Sequence, residues 1–542
     1  MNIPSNSRAW ANLIQHHEDN FDLSLHQRFD TNSKRADQLS FSCGDLWIDV
    51  SKQLLEVETT ELLFELAEER GVERFFDLMF QGFPVNLSEN QAALHTSLRD
   101  PKIRDDHEML LGISEEIHEN LERMRELAEK LENGSLVGAS GEQIRSVVNL
   151  GIGGSHLGPF MAFEALKEYV NPELEVRWSS GLDLADLDDA LEGLEPESTI
   201  IIICSKTFST LETMSAAHRA QEWLEDGLWH HGWDSNVEGF RTHCLSQIFA
   251  ATAAPINALS FGIEEENIFS FSSSVGGRFS LASPVSLGLI LSIGYANFRN
   301  MLDGMHLIDQ HVLENVQNVP LLLGLIDVWN RSILGSNSLA IVPYSYRLRK
   351  LAPYIQQLMM ESLGKSVSEK GESLGLETGG AVWGASGTDA QHSFFQLLHQ
   401  GTESMPVDLI GFAQLSNEIN DELIANLIAQ AEVLAFGNSL GENSTPLLEH
   451  EIVPGNKPST VILAPELSPS ILGQLVALYE HRTIAVGAIW GINPFDQWGV
   501  ELGKKTALQI INEFEYRGDI SSHDSSTQSL MTRYMDWRDS DL

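Results

Sequence analysis

From about residue 145 onward, short runs of aliphatic and β-branched residues alternate with Gly/Ser/Thr turns and with segments whose apolar positions follow a helical period. The first set of runs is 147–150, 175–178, 199–204 and 267–271. Such alternation of short strand-like runs, turns and helical segments predicts a parallel sheet covered by helices. The texture returns at 339–343, 409–412, 460–463 and 483–486, so the pattern predicts two α/β units with a mainly helical stretch, 287–330, between them. Residues 1 to about 115 lack this alternation and read as helical, as in 61–70 (ELLFELAEER), which suits an arm or covering layer. The expected division is a helical arm over 1–115, a first α/β domain over 116–285, a helical connection over 286–330, a second α/β domain over 331–510 and a C-terminal arm over 511–542. The polar stretch 521–529 (SSHDSSTQS) is expected to be a loop.

Composition narrows the function classes. At 542 residues and 42% hydrophobic content the chain can build a core in each of several domains. Its 34 Lys and Arg stand against 77 Asp and Glu, a formal charge of −43, which repels phosphate backbones and anionic lipid. Nucleic-acid and membrane-surface partners are therefore not expected. The acidity fits either a salty cytoplasm or a generally acidic proteome. Cys43, Cys204 and Cys244 are too few and too scattered for a disulfide framework or a four-ligand zinc site. The opening MNIPSNSRAW lacks the basic flank and apolar run of a signal peptide, and the apolar stretch 285–293 is far shorter than a span of roughly 20 residues. A cytoplasmic location is expected.

In open parallel sheets ligands bind beyond the carboxyl ends of the strands, so chemistry is sought in the turns that follow them. After 147–150 comes NLGIGGSHLGP, whose Gly151, Gly153 and Gly154 let backbone approach a ligand. A dinucleotide fingerprint would need glycine where His156 stands, and Gly158 falls two residues late. A tight turn and a small-anion site both remain open. After 199–204 comes SKTFSTLETM, offering hydroxyls from Ser205, Thr207, Ser209 and Thr210 around Lys206, with Ser209 and Glu212 at capping-box spacing. Hydroxyls and helix-terminal amides suit a phosphate, although an ordinary capped helix with a solvated lysine would read the same. No P-loop is present, so nucleotide hydrolysis gains no support.

In VGGRFS (275–280) paired glycines precede Arg278, a permanently charged fork suited to a developing oxyanion; the plainer reading is a surface arginine. In APYIQQLMMESLGK, Pro353 suits a first helical turn, and Gln357 and Glu361 fall on one helical face. Set among Leu358, Met359 and Met360, the Glu361 carboxylate is expected to be partly desolvated, as a general base would be, or else to be an exposed helix residue. Thr388 and Gln391 have capping-box spacing, which predicts His392 in a first helical turn where the dipole favours a neutral ring, while His399 reads as structural. In NPFDQWGVELGKK, Gln497 and Lys504 are seven apart on one face of a predicted helix, with a solvated helix end as the alternative.

In their order along the chain, GIGGSHLGP, SKTFSTLET, VGGRFSL, MMESLGKS, QHSFFQLLHQG and NPFDQWGVELGK resemble the glucose-6-phosphate isomerase (phosphoglucose isomerase) family. NLSENQAALHTSLR, PSTVILAPELSPSILGQLVALYEH and HDSSTQSL extend the resemblance over nearly the whole chain. It implies two sugar-isomerase (SIS-like) domains with terminal arms, and a cytoplasmic enzyme of glycolysis and gluconeogenesis that interconverts glucose 6-phosphate and fructose 6-phosphate. It implies Glu361 as the base that works through a cis-enediolate, with Arg278 stabilising the negative charge. His392 and Lys504 would open the ring. Ser205, Lys206, Thr207 and Thr210 would hold the phosphate near Gly154 and Ser155, and Gln357, Gln497 and the Gly277 backbone would position the open chain. No metal and no cofactor is implied. A homodimer is, with His392 reaching the partner's site. The sequence departs from the family's usual residues at His156 (usually Asp), Ser272 to Ser274 (usually acidic and aromatic), Leu363 (usually Asn) and Gln91 (usually Arg). Two rivals stand beside this reading: an isomerase that also accepts mannose 6-phosphate, and a non-catalytic sugar-phosphate regulator.

Overall fold

The computed structural model describes residues 3–20, 22–102, 108–230, 240–314, 317–414, 420–438 and 448–540. The chain divides into two compact units, Met1–Phe495 and Asp496–Leu542. Among the described residues every strand lies in the first unit. Five of them, β3 (Ser146–Leu150), β4 (Glu175–Ser179), β5 (Thr199–Cys204), β6 (Ile248–Thr252) and β7 (Ile268–Ser270), form a wholly parallel sheet in the order β4-β3-β5-β6-β7. β3 and β5 are buried along their full length, which is why their sequences are apolar on both faces. From β3 the chain crosses to β4 on one side and later to β5 on the other. The order therefore reverses between β3 and β5, and the loops that leave their carboxyl ends face the resulting crevice.

The second sheet runs β1-β2-β11-β10-β8-β9. Its parallel members are β8 (Ser338–Pro343), β9 (Ala381–Trp383), β10 (Val407–Gln414) and β11 (Ser459–Glu466). The other two come from the segment expected to be a helical arm: β1 (Ser40–Cys43) and β2 (Leu46–Asp49) form a hairpin, and β2 pairs antiparallel to β11 with Ile48 opposite Ile462. Four-residue strands joined at Gly44, which adopts φ +58°, are too short to show an alternating pattern. The strands β6 and β9 were also not expected from the sequence.

The strand expected at 483–486 does not exist. Thr483 to Val486 lie inside the helix Pro469–Trp490, in which every residue except Ser470 is buried. A helix buried all round loses its amphipathic stripe, and its β-branched turn then mimics a strand. The helices Leu287–Ile293, Tyr295–Glu314 and Val319–Val328 make the 287–330 stretch helical, and the last two pack along Pro469–Trp490. The charges this central helix carries are paired. Arg482 donates to both carboxylate oxygens of Asp327 at 2.6 Å and to Asp408 at 2.6 Å, and Arg99 reaches Glu480 at 2.5 Å and Asp309 at 2.6 Å. Removing one partner of such a pair would leave a bare charge in the core.

Asp496–Leu542 contains the helices Glu501–Tyr516 and Ser525–Ser540, so most of the polar stretch read as a loop begins a helix. Within this unit Phe514 packs on Tyr534 with ring centroids 4.9 Å apart.

Candidate active site

The loop after β3 needs its glycines. Gly153 adopts φ +57°, and a Cβ on Gly154 would fall 2.2 Å from the carbonyl carbon of Gly277 and 2.8 Å from the Arg278 nitrogen. The GIGGS and VGGRFS loops are thus in direct backbone contact, as Gly154 alone permits. The Ser280 hydroxyl, 3.3 Å from the Gly154 carbonyl and 2.7 Å from that of Gly277, ties them together. Ser155 closes the short 3-10 turn Gly153–Ser155 before the helix Leu157–Ala165.

The loop after β5 folds around its own hydroxyls. Ser205 Oγ accepts from the Phe208 N–H at 3.1 Å and lies 3.3 Å from Thr210 Oγ1, while the Lys206 carbonyl accepts from the Ala253 N–H at 3.0 Å. Ser209 donates its hydroxyl to Thr207 Oγ1 at 3.0 Å, and the helix that follows begins at Leu211, which places Thr210 and not Ser209 directly before it. Burial pulls the Lys206 ammonium below its ordinary pKa; the Glu89 carboxylate opposes that fall and Arg278 adds to it. The lysine of one loop and the arginine of another therefore share one electrostatic field.

Arg278 is not a surface arginine: it is 2% exposed and fully engaged. Nε donates to Ser362 Oγ at 2.6 Å, Nη1 to Glu361 Oε2 at 3.2 Å and Nη2 to the Pro494 carbonyl at 2.5 Å. Gln357 Nε2 reaches the same Glu361 oxygen at 3.4 Å and would lie 3.3 Å from a Cβ on Gly153. The helix Leu351–Leu363 presents this face through the i, i+4 spacing of Gln357 and Glu361. Leu358 and Met359 are buried, Met360 is 39% exposed, and Glu361 is partly buried, its side chain 26% exposed and facing Arg278 and Gln357. The partners Ser362 and Pro494 were not foreseen, since a hydroxyl and a carbonyl carry no pattern of their own.

The structure therefore brings Gly154, Gly277, Arg278, Gln357 and Glu361 together, with Lys206 within electrostatic reach. His392 makes no contact with that cluster among the described residues; its backbone N–H donates to the Asp389 carbonyl at 3.1 Å. It is not in a first helical turn: it ends the five-residue helix Gly387–Gln391 and precedes Phe395–Gln400, so the dipole argument fails for it. Its ring is exposed and has no hydrogen-bond partner among the described residues. His399 is structural as expected, 2.8 Å from Gln430 Oε1 and packed on Phe395. Gln497 and Lys504 belong to the second compact unit, where Lys504 Nζ lies 2.9 Å from Glu501 Oε1 and its side chain is 65% exposed. No group of three or more His, Cys, Asp or Glu suited to a metal occurs among the described residues.

A carboxylate held against a buried guanidinium, beside glycine and hydroxyl loops at a sheet's switch point, suits proton transfer on a small anionic substrate. Fold and site together define a two-sheet α/β protein with a carboxylate–guanidinium pair beside the switch point of one sheet. Residues 49–531 match the phosphoglucose isomerase family. The chain is 44% identical to glucose-6-phosphate isomerase 3 of Rhodococcus jostii (strain RHA1), covering 97% of this chain and 96% of that one. It is 42% identical to the glucose-6-phosphate isomerase of Mycolicibacterium smegmatis, with 97% of each covered. A crystal structure of a glucose-6-phosphate isomerase from Chlamydia trachomatis D/UW-3/Cx superimposes with a TM-score of 0.83 at 29% identity, over 98% of this chain and 99% of that one. The chain belongs to the phosphoglucose isomerase family.

Proposed function

We propose that Glu361 is the base of the reversible isomerisation of glucose 6-phosphate to fructose 6-phosphate, the aldose-ketose reaction of this family. The observation that carries the assignment is the 3.2 Å contact between Glu361 and a guanidinium fixed by Ser362 and Pro494. Glu361 removes the C2 proton of the open-chain aldose, and the electron pair forms a C1–C2 double bond as the negative charge moves onto O1. Arg278, paired with the base in the resting site, stabilises that cis-enediolate. O1 gains a proton and O2 loses one to become the ketone, while Glu361 returns its proton to C1. Ring opening precedes this: His392 and Lys504 move protons at the ring oxygen and the anomeric hydroxyl.

Ser205, Lys206, Thr207 and Thr210, with Gly154 and Ser155, hold the phosphate; Gln357, Gln497 and the Gly277 backbone hold the chain. A protein of formal charge −43 binds a dianion only through local attraction, and Lys206, Arg278 and Lys504 supply it. The exposed ring of His392 supports its donation to a second subunit, which makes the active species a homodimer. No step needs a metal. No helix among the described residues is long and apolar enough to cross a membrane, and a cytoplasmic setting suits the substrate.

The test is formation of glucose 6-phosphate from fructose 6-phosphate with chelator present and mannose 6-phosphate run in parallel. Glu361→Gln should lower kcat by about 10² to 10⁴ with phosphate affinity retained. Wild-type turnover in that variant would remove Glu361 from the role.

A further inference from the structure

Lys365 lies just beyond the helix that carries Glu361. The last carbonyls of any helix lack intrahelical partners, and a cation there meets the negative end of the dipole. Lys365 Nζ bonds to the carbonyls of Glu361 at 3.2 Å and Ser362 at 2.8 Å, and its third bond, 2.6 Å, goes to the carbonyl of Asn493 on a distant loop. The Asn493 side chain in turn donates to Asn86 Oδ1 and Ser88 Oγ, both at 2.8 Å. Its neighbour Pro494 provides the carbonyl that receives Arg278.

We propose that Lys365 is a positioning residue for the isomerisation: by joining the carbonyls of Glu361, Ser362 and Asn493 it fixes the base and the guanidinium as one rigid pair. The three carbonyls belong to the two segments that hold Arg278, one through Ser362 Oγ and one through Pro494. Without the ammonium these segments lose a direct link and keep the bridge through Arg278, so movement between them falls on the spacing between Glu361 and Arg278. A displacement near 1 Å at a reacting group costs about 10²-fold in rate. The phosphate loop after β5 has no bond to Lys365 among the described residues, so binding of the phosphate end is left alone.

The proposal rests on Glu361 being the base, and the experiment separates the two. Lys365→Met is compared with Lys365→Arg, Glu361→Gln and the double variant, measuring kcat, KM and inhibition by inorganic phosphate well below the melting temperature. The expected result is a fall in kcat of about 10- to 100-fold, with KM and phosphate inhibition within about threefold and most of the rate restored by Lys365→Arg. In the Glu361→Gln background, Lys365→Met should cost little more. If Lys365→Met fails to fold, Lys365→Gln, which keeps two donors but no charge, carries the same comparison. Unchanged kcat, or an equal loss of kcat and phosphate affinity, overturns the positioning role. An active Glu361→Gln enzyme overturns the base instead.

Discussion

Arg278 reaches Glu361 with Nη1 at 3.2 Å while its Nε is held 2.6 Å from the hydroxyl of the next residue, Ser362. One planar guanidinium thus holds both the carboxylate and the helix turn that carries it, each from a separate nitrogen of its fork. Arg278→Lys should keep the charge but lose the fork, lowering kcat by about 10² to 10³ with a smaller change in KM. Steady-state kinetics in both directions would check this.

The contact between the GIGGS and VGGRFS loops leaves no room for a methyl group. Gly154→Ala puts a carbon 2.2 Å from Gly277 backbone, so the loops must part. The expected cost is about 1 to 3 kcal/mol of stability together with at least a tenfold loss in kcat/KM. Denaturant unfolding and kinetics on the same preparation would measure both.

His156 packs against Phe160 and Trp178, and burial lowers its pKa from 6.5 to about 4, with Asp186 opposing and Lys350 assisting. The folded value lies below the unfolded one, so between pH 6.5 and about 4 the unfolded chain binds the extra proton. The contribution is present above pH 6.5 and is lost as the pH falls toward 4. Substituting His156→Asn should flatten the stability profile within that window, as read by urea unfolding at a series of pH values.

Donation of His392 across a dimer predicts complementation. Glu361→Gln and His392→Leu should each be nearly inactive alone. Re-formed together from dissociated subunits, they give hybrids with one intact site, and the mixture should recover about a quarter of wild-type activity. No recovery would place His392 in its own subunit's site.

Much of this was legible in the sequence, for identifiable reasons. The run Ile200 to Ile203 reads as a strand because β5 is covered on both faces, and the Gln357 to Glu361 spacing reads as one helical face. The helix Pro469–Trp490 was not legible, because complete burial removes the periodicity that marks a helix. Nor were the partners of Arg278: they come from two segments far apart in the chain, and two of its acceptors, a serine hydroxyl and a proline carbonyl, occur throughout any sequence. His392 was placed on the wrong part of its helix because Thr388 and Gln391 have the spacing of a cap without forming one.

The hairpin β1–β2 joins the second sheet through β11, although the two stand near opposite ends of the chain. During synthesis β2 cannot meet its partner until β11, at 459–466 of 542 residues, has left the ribosome. The second sheet is thereby completed late, by a contact that spans most of the chain.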